Sequence, residues 1–487
     1  MRGRKIMNDV FDTDILKLLG TLYENDIFIW QEQGKLKYKS KEGKISKDIL
    51  MQLKDMKLAI ISFLQDCENN KFPMSPLQSA YLVGEANNCE LGNTNAHYYI
   101  EYEISDIDVE KMQTVINELI FKHDVLRMIV LKEGENYILN NLPLYTLSTY
   151  QYIDCTSRKR VRNIWKNHVY KIENWPMFHF EVGKSDVRND VLHISFDCLI
   201  LDAWSAKKLI DELFQLYNGQ KVDIPQFSFK EYMEKAAIYE SKTEKKAEDY
   251  WKQELEKVSI PSIKTEIPIH EVTSPQFGRV EYIFTFEETK CLYERAKYYK
   301  LTPAATICTL FLKTLCEEYG NQSMTLDITL FNRLPLNAEV DKILGEFTNV
   351  GLVTFQKSDN ICFLDEVIKI QRQFWKLVQY REYDGTKLLK NLAKGKVGKA
   401  VLPIVYTCML DGCSCSEQPL FKEVYALSKT PQVMLDHHVR DDLGSLKLSF
   451  DYVTDLFREE DVEKILLAYV KRVKSAMTQI EWDCIVI

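Results

Sequence analysis

Two aspartates five residues apart, Asp197 and Asp202, stand in the run HISFDCLILDAWS, His193 to Ser205. Paired carboxyls can serve as general acid and base, one donating a proton while the other accepts one. They have a plainer use as well: a carboxylate at the end of a buried strand can hold a backbone turn or pair with an arginine. Cys198, between them, reads better as a small apolar filler than as a nucleophile. A third acid, Asp436, sits beside His437 and His438 in SKTPQVMLDHHV, Ser428 to Val439. Neighbouring side chains on a strand point to opposite faces, so these two histidines do not converge on one metal ion. Cys413 and Cys415 have a single residue between them and no nearby histidine pair, a spacing that does not suit zinc. No metal site is therefore expected. Neither a Gly-x-Ser-x-Gly nucleophile elbow nor a Gly-x-Gly-x-x-Gly dinucleotide fingerprint occurs.

The elements that must position these residues follow from periodicity. Val191 to Phe196 is a β-rich run that ends at the acidic turn, and Ala203 to Leu216 reads as a helix. Asp197 thus closes a strand and Asp202 precedes a helix. Asp108 to His123 is amphipathic, with Val109, Met112, Ile116, Leu119 and Ile120 on one face. Phe72 to Glu85 reads as a proline-started helix or a loop. The charged stretch Lys230 to Lys257 predicts a helix bridging two halves of similar size, 71–245 and 246–487.

Residues 1–70 read as a separate unit. Ile15, Leu18, Leu19 and Leu22 form a helical stripe. Ile27 to Gln31 and Lys35 to Lys39, joined by Glu32-Gln33-Gly34, form a hairpin signal. Ser46 is placed to cap a helix from Lys47, with apolar positions recurring through Leu58, Ile61 and Leu64. Glu68-Asn69-Asn70-Lys71 reads as a linker.

Bulk properties narrow the classes. A chain of 487 residues exceeds one ordinary core. Its net charge of -8 argues against a nucleic-acid partner, since such binding needs a basic surface to displace counterions. No run of eighteen apolar residues is present, so no membrane span is expected. The 12 scattered cysteines suit reduced thiols, and with no signal-peptide pattern the expected location is cytoplasmic.

The segment DIFIWQEQGKLKYKSKEGKIS, followed by DILMQLKDMKLAIISFLQ, resembles the TubC-type N-terminal docking domains of mixed polyketide/peptide synthetases. In that family the hairpin and adjoining helix hold the C-terminal tail of an upstream subunit. Six lysines against one glutamate from Lys35 to Lys47 would attract an acidic tail, although they would also protect an edge strand from aggregation. The implied docking contacts are Trp30, Lys35, Lys37, Tyr38 and Lys39.

From Phe72 onward an ordered set of motifs resembles the condensation superfamily of peptide synthetases, in particular its heterocyclization branch. The set comprises PLQSAYLVG, Asp197-x-x-x-x-Asp202 where ordinary condensation domains carry His-His-x-x-x-Asp-Gly, Leu301-Thr302-Pro303, LFNRLP from Leu330 to Pro335, and TPQVMLDHH from Thr430 to His438. This resemblance implies an α/β, two-lobed, chloramphenicol-acetyltransferase-like pseudo-dimer with a central tunnel, preceded by the small α+β docking domain. Upstream and downstream carrier proteins would deliver substrates on phosphopantetheine arms, with no cofactor bound by the chain itself. Amide formation with carrier-bound cysteine, serine or threonine would be followed by cyclodehydration to a thiazoline or oxazoline. An amide-forming domain alone, or a non-catalytic carrier platform, are the competing readings.

By the same resemblance, Asp197, Asp202 and Ser205 belong to an architectural motif. Asp202 is expected to pair with a lobe-lobe arginine, for which Arg279 in FGRVEY is the candidate. Thr407 and Asp436 are the implied cyclodehydration pair, the acid shuttling protons while the threonine orients it. Cys198, Asn332 and Gln432 are candidates for the tunnel wall, Asn332 reading equally as a turn residue. The family usually has glutamine at the position of His438, often an aromatic at Met434, and commonly serine at Cys408. DDLGSL, Asp441 to Leu446, resembles a carrier-protein attachment serine only superficially, since it lacks the second glycine.

Overall fold

The computed structural model describes residues 10–41, 45–358, 361–394, 398–410, 420–478 and 482. Cys413 and Cys415 lie outside them. The N-terminal unit consists of α1 (Asp12–Glu24), the antiparallel hairpin β1 (Ile27–Glu32) and β2 (Lys35–Ser40), α2 (Lys47–Asp55) and α3 (Lys57–Asn70). Gln33 and Gly34 adopt the positive φ that the two-residue hairpin turn demands. Ser46 caps α2 by accepting from the Ile49 N–H. Two expectations fail here. A break at Met56 separates α2 from α3 and rotates the buried face onto Ile60, Phe63 and Cys67, leaving Leu58 71% exposed. The polar stretch at 68–71 is no linker either: α3 continues through Asn70 and leads directly into the next strand.

The first lobe contains β3 (Phe72–Pro73), α4 (Pro76–Gly84), β4 (His97–Ile104), α5 (Val109–Lys122), β5 (Met128–Val130), β6 (Glu135–Ile138), β7 (Ser148–Gln151), α6 (Cys155–Trp165), β8 (Phe178–Lys184), β9 (Asp190–Asp197) and α7 (Ala203–Tyr217). α8 (Phe229–Leu255) crosses between lobes. Phe229, Tyr232, Met233 and Ala236 near its start join the first hydrophobic core, and Ala247 and Trp251 near its end join the second. The expected 245/246 boundary therefore falls inside a continuous helix.

The second lobe holds β10 (Phe277–Ile283), α9 (Phe286–Tyr298), α10 (Pro303–Glu318), β11 (Ser323–Phe331), β12 (Thr348–Gln356), α11 (Phe363–Gln379), α12 (Gly385–Leu392), β13 (Ile404–Met409), β14 (Lys422–Lys429), β15 (Leu435–Asp442), β16 (Ser445–Val453) and α13 (Glu459–Ala476). Its sheet runs β10-β16-β15-β13-β11-β12, and the first lobe's main sheet runs β14-β4-β9-β8-β7. β14 thus comes from the second half of the chain but pairs antiparallel with β4. Leu443 and Gly444, both with positive φ, form the tight turn between β15 and β16, so DDLGSL is a hairpin rather than an attachment site. Eight described cysteines are free thiols, whereas Cys362 is disulfide-bonded, contrary to the expectation of reduced thiols throughout. No described helix is long and apolar enough to cross a membrane.

Candidate active site at the lobe interface

A cavity of about 480 Å³ opens between the two sheets, with α4 and α12 contributing to its wall. Strand register explains which side chains line it. Asp327 on β11 pairs with Val405 on β13, Val405 with Asp436 on β15, Asp436 with Asp451 on β16, and Asp451 with Arg279 on β10. Register partners project from the same face of a sheet, so one row carries three acids and an arginine. Two residues further along lies a second polar row, in which Thr407 pairs with His438 and His438 with Ser449.

Thr407 Oγ1 lies 2.8 Å from Thr329 Oγ1 and 3.5 Å from Asp436 Oδ1. His438 Nε2 lies 3.2 Å from Asp436 Oδ2 and 3.3 Å from Asp451 Oδ2. Burial alone would depress that imidazole, but the two acids dominate and raise its pKa to about 9. His437 projects the other way into the core, against Phe311 and Tyr469. Among the described residues no cluster of His, Cys, Asp and Glu is arranged to hold a metal ion.

A second cavity, of about 470 Å³, lies on the other side of the same wall. Cys198, Leu201, Ala203, Ser428 and His438 line both cavities.

The comparisons with known proteins agree with this architecture. The condensation-domain profile matches residues 68–484. The chain belongs to the condensation-domain family. The profile of the TubC N-terminal docking domain matches residues 15–66. Bacitracin synthase 1 of Bacillus licheniformis is 28% identical over 84% of the chain, and phenyloxazoline synthase MbtB of Mycobacterium sp. (strain MCS) is 22% identical over 85%. The chain spans only 8% and 36% of those two relatives. The fold matches that of the EpoB cyclization-docking bidomain from Sorangium cellulosum with a TM-score of 0.77 at 22% identity, covering 95% of this chain and 98% of that one.

Within this condensation domain the Asp-x-x-x-x-Asp motif is built into the framework. Asp197 accepts from the Leu199 N–H at 2.9 Å and from Asn95 Nδ2 at 3.1 Å, and burial raises its pKa to about 6. It lines neither cavity. Asp202 caps α7 by accepting from the Ser205 N–H at 2.6 Å and takes a second hydrogen bond from the Phe347 N–H. The expected Asp202–Arg279 pair is absent. Register sets Arg279 opposite Asp451, and its Nε donates to Asp451 Oδ1 at 2.6 Å. The arginine near Asp202 is Arg333, whose Nη2 donates to Ser205 Oγ at 2.8 Å and whose charge offsets part of the burial penalty on Asp202. Ser205 Oγ donates in turn to the Gly345 carbonyl at 2.7 Å. The α7 N-terminus is thereby fastened to the segment before β12.

The tunnel candidates divide. Gln432 lines the first cavity and Cys198 lines both, its thiol held protonated by burial, as a filler rather than a nucleophile would be. Asn332 lines neither; its amide donates at 3.0 Å to the Arg381 carbonyl, a tie to a distant segment that corresponds to neither the tunnel nor the local-turn reading. Two carboxyls that sequence reasoning missed also line the first cavity. Glu346 is raised to about 8 by burial and by Asp202. Asp327 is raised well above the carboxylate range by burial and by Asp436. Asp327 had left a signal, as the lone acid in the otherwise uncharged strand MTLDITLF.

On the docking domain, Phe28 pairs with Lys39, Trp30 with Lys37 and Glu32 with Lys35, so all six share one exposed face of the hairpin. Lys37 forms an ion pair with Glu32. Tyr38, opposite Ile29, is 53% exposed on the reverse face.

Proposed function

We propose that this domain joins an acyl group to cysteine, serine or threonine, both arriving as carrier thioesters, and then cyclodehydrates the amide to a thiazoline or oxazoline. The amine displaces the thioester sulfur. The side-chain thiol or hydroxyl then attacks the new amide carbonyl, and the ring hydroxyl leaves as water. Asp436 handles the protons of ring closure and dehydration, and Thr407, braced by Thr329, orients it. The observation that carries this reading is the Thr407–Asp436 pair in the first cavity, with Cys198 in its wall where ordinary condensation domains carry a histidine. A volume of about 480 Å³ suits a small heterocycle on its pantetheine arm. Cysteine is the favoured nucleophile because thiols attack more readily than hydroxyls at neutral pH.

The carriers supply phosphopantetheine, and the chain itself needs no bound cofactor. The face formed by Phe28, Trp30, Lys35, Lys37 and Lys39 suits the acidic C-terminal tail of an upstream subunit, combining cationic and aromatic contact with an unpaired strand edge. The reaction is tested by supplying both loaded carriers and weighing the downstream one. A product one water lighter than the amide supports ring formation. Amide alone contradicts the second step, and no transfer contradicts both.

A further inference from the structure

The dehydration step moves two protons in opposite senses: the ring nitrogen loses one and the departing hydroxyl gains one. A single carboxyl must do both in turn, whereas two carboxyls can do both at once. Asp327 and Asp436 flank Val405 on adjacent strands of one row, and all three side chains line the first cavity. Two strand spacings, about 9.6 Å, separate their backbones. That width accommodates an N–C–O unit with a hydrogen bond of about 2.8 Å at each end.

Asp327 is distinguished from the other cavity acids by its surroundings. Glu346 is engaged by the Thr348 N–H and the Ser75 hydroxyl, and Asp202 by two backbone N–H groups. Asp327 is 6% exposed, and its Oδ1 has no hydrogen-bond partner. A buried carboxyl oxygen left without a partner in a substrate cavity is a group waiting for a ligand donor or acceptor.

We propose that Asp327 delivers the proton that releases the ring hydroxyl as water, while Asp436 takes the ring N–H proton, the nascent ring lying over Val405 between them. The inference rests on the heterocyclization reading above. The C–O bond breaks, the nitrogen electron pair forms the C=N bond, and water leaves with the Asp327 proton. The nitrogen proton ends on Asp436, and one transfer back to Asp327 restores the starting state. No other reactant is needed. The electrostatics run in the required directions: burial and the neighbouring Asp436 keep Asp327 protonated, and the cationic His438 lies against Asp436 Oδ2.

The test is single-turnover mass spectrometry of the downstream carrier with the full chain, an acyl-loaded upstream carrier and a cysteinyl-loaded downstream carrier. Asp327→Asn keeps shape and polarity but cannot donate an acid proton. It should accumulate amide, with dehydration slowed by about 100-fold or more. Asp327→Glu, which restores the acid, should recover part of the ring product. Ring formation by Asp327→Asn at the wild-type rate overturns the proposal and leaves the heterocyclization reading standing. Equal loss of amide and ring in both variants, with wild-type melting curves, overturns it as well. Absence of ring from the wild-type chain overturns both readings.

Discussion

His438 brings two acids, Asp436 and Asp451, to one nitrogen. Burial opposes the charged imidazole, yet Asp436 and Asp451 raise its pKa to about 9, and Arg279 anchors Asp451 in turn. The folded value lies above the unfolded value of about 6.5. The stabilisation is therefore complete below about pH 6.5 and disappears as the pH rises through about 9. We expect the urea midpoint of the wild-type chain to fall more steeply over that interval than that of His438→Gln; parallel curves would contradict the clamp. Sequence alone gave unequal access to these residues. Thr407 and Asp436 stood out as candidates only through the motifs of the resemblance, and the fold brings them together in the cavity wall. The Arg279 partner was misassigned because residues 279 and 451 meet only through the β10–β16 register, 172 positions apart. Asp327 had a local signal but no motif to interpret it.

At the element scale, the lobes are fastened by pieces that belong in sequence to one half and in space to the other. Arg333 Nη1 donates to the Val340 and Ile343 carbonyls, both at 2.8 Å, and Nη2 donates to Ser205 Oγ. Its guanidinium also stacks over the Phe347 ring at 3.9 Å. Arg333→Ala strands two buried carbonyls and frees the segment that holds α7, at an expected cost of about 3 kcal/mol in urea unfolding. A change below about 1 kcal/mol would mean that water replaces these bonds without penalty. Periodicity located the β1–β2 hairpin, α5, α7 and α8 to within a few residues. It did not reveal that β14 crosses to the first lobe, since an alternating strand records which face is apolar and not which neighbour it pairs with. The supposed linker at 68–71 misled for a related reason: polar residues also cover the outer face of a terminal helical turn.

For the whole molecule, the docking domain is packed against the first lobe rather than tethered to it. Ile129, Tyr137 and Leu139 of that lobe share a core with Ile15, Leu22 and Phe63, and Asp12 accepts from the N–H groups of Asn140 and Asn141. Deleting residues 1–70 should therefore lower the melting temperature as well as weaken capture of the upstream protein. The double change Lys37→Glu and Lys39→Glu should weaken capture alone, most strongly at low salt. A melting temperature unmoved by the deletion would contradict the shared core. In the proposed reaction, bond formation and dehydration in the cavity between the lobes are separable events. Single-turnover mass analysis of Asp436→Ala, with both carriers loaded in advance, tests this most directly. Amide should persist on the downstream carrier while its one-water-lighter product is suppressed; equal loss of both products in a normally folded variant would contradict the separation of the two steps.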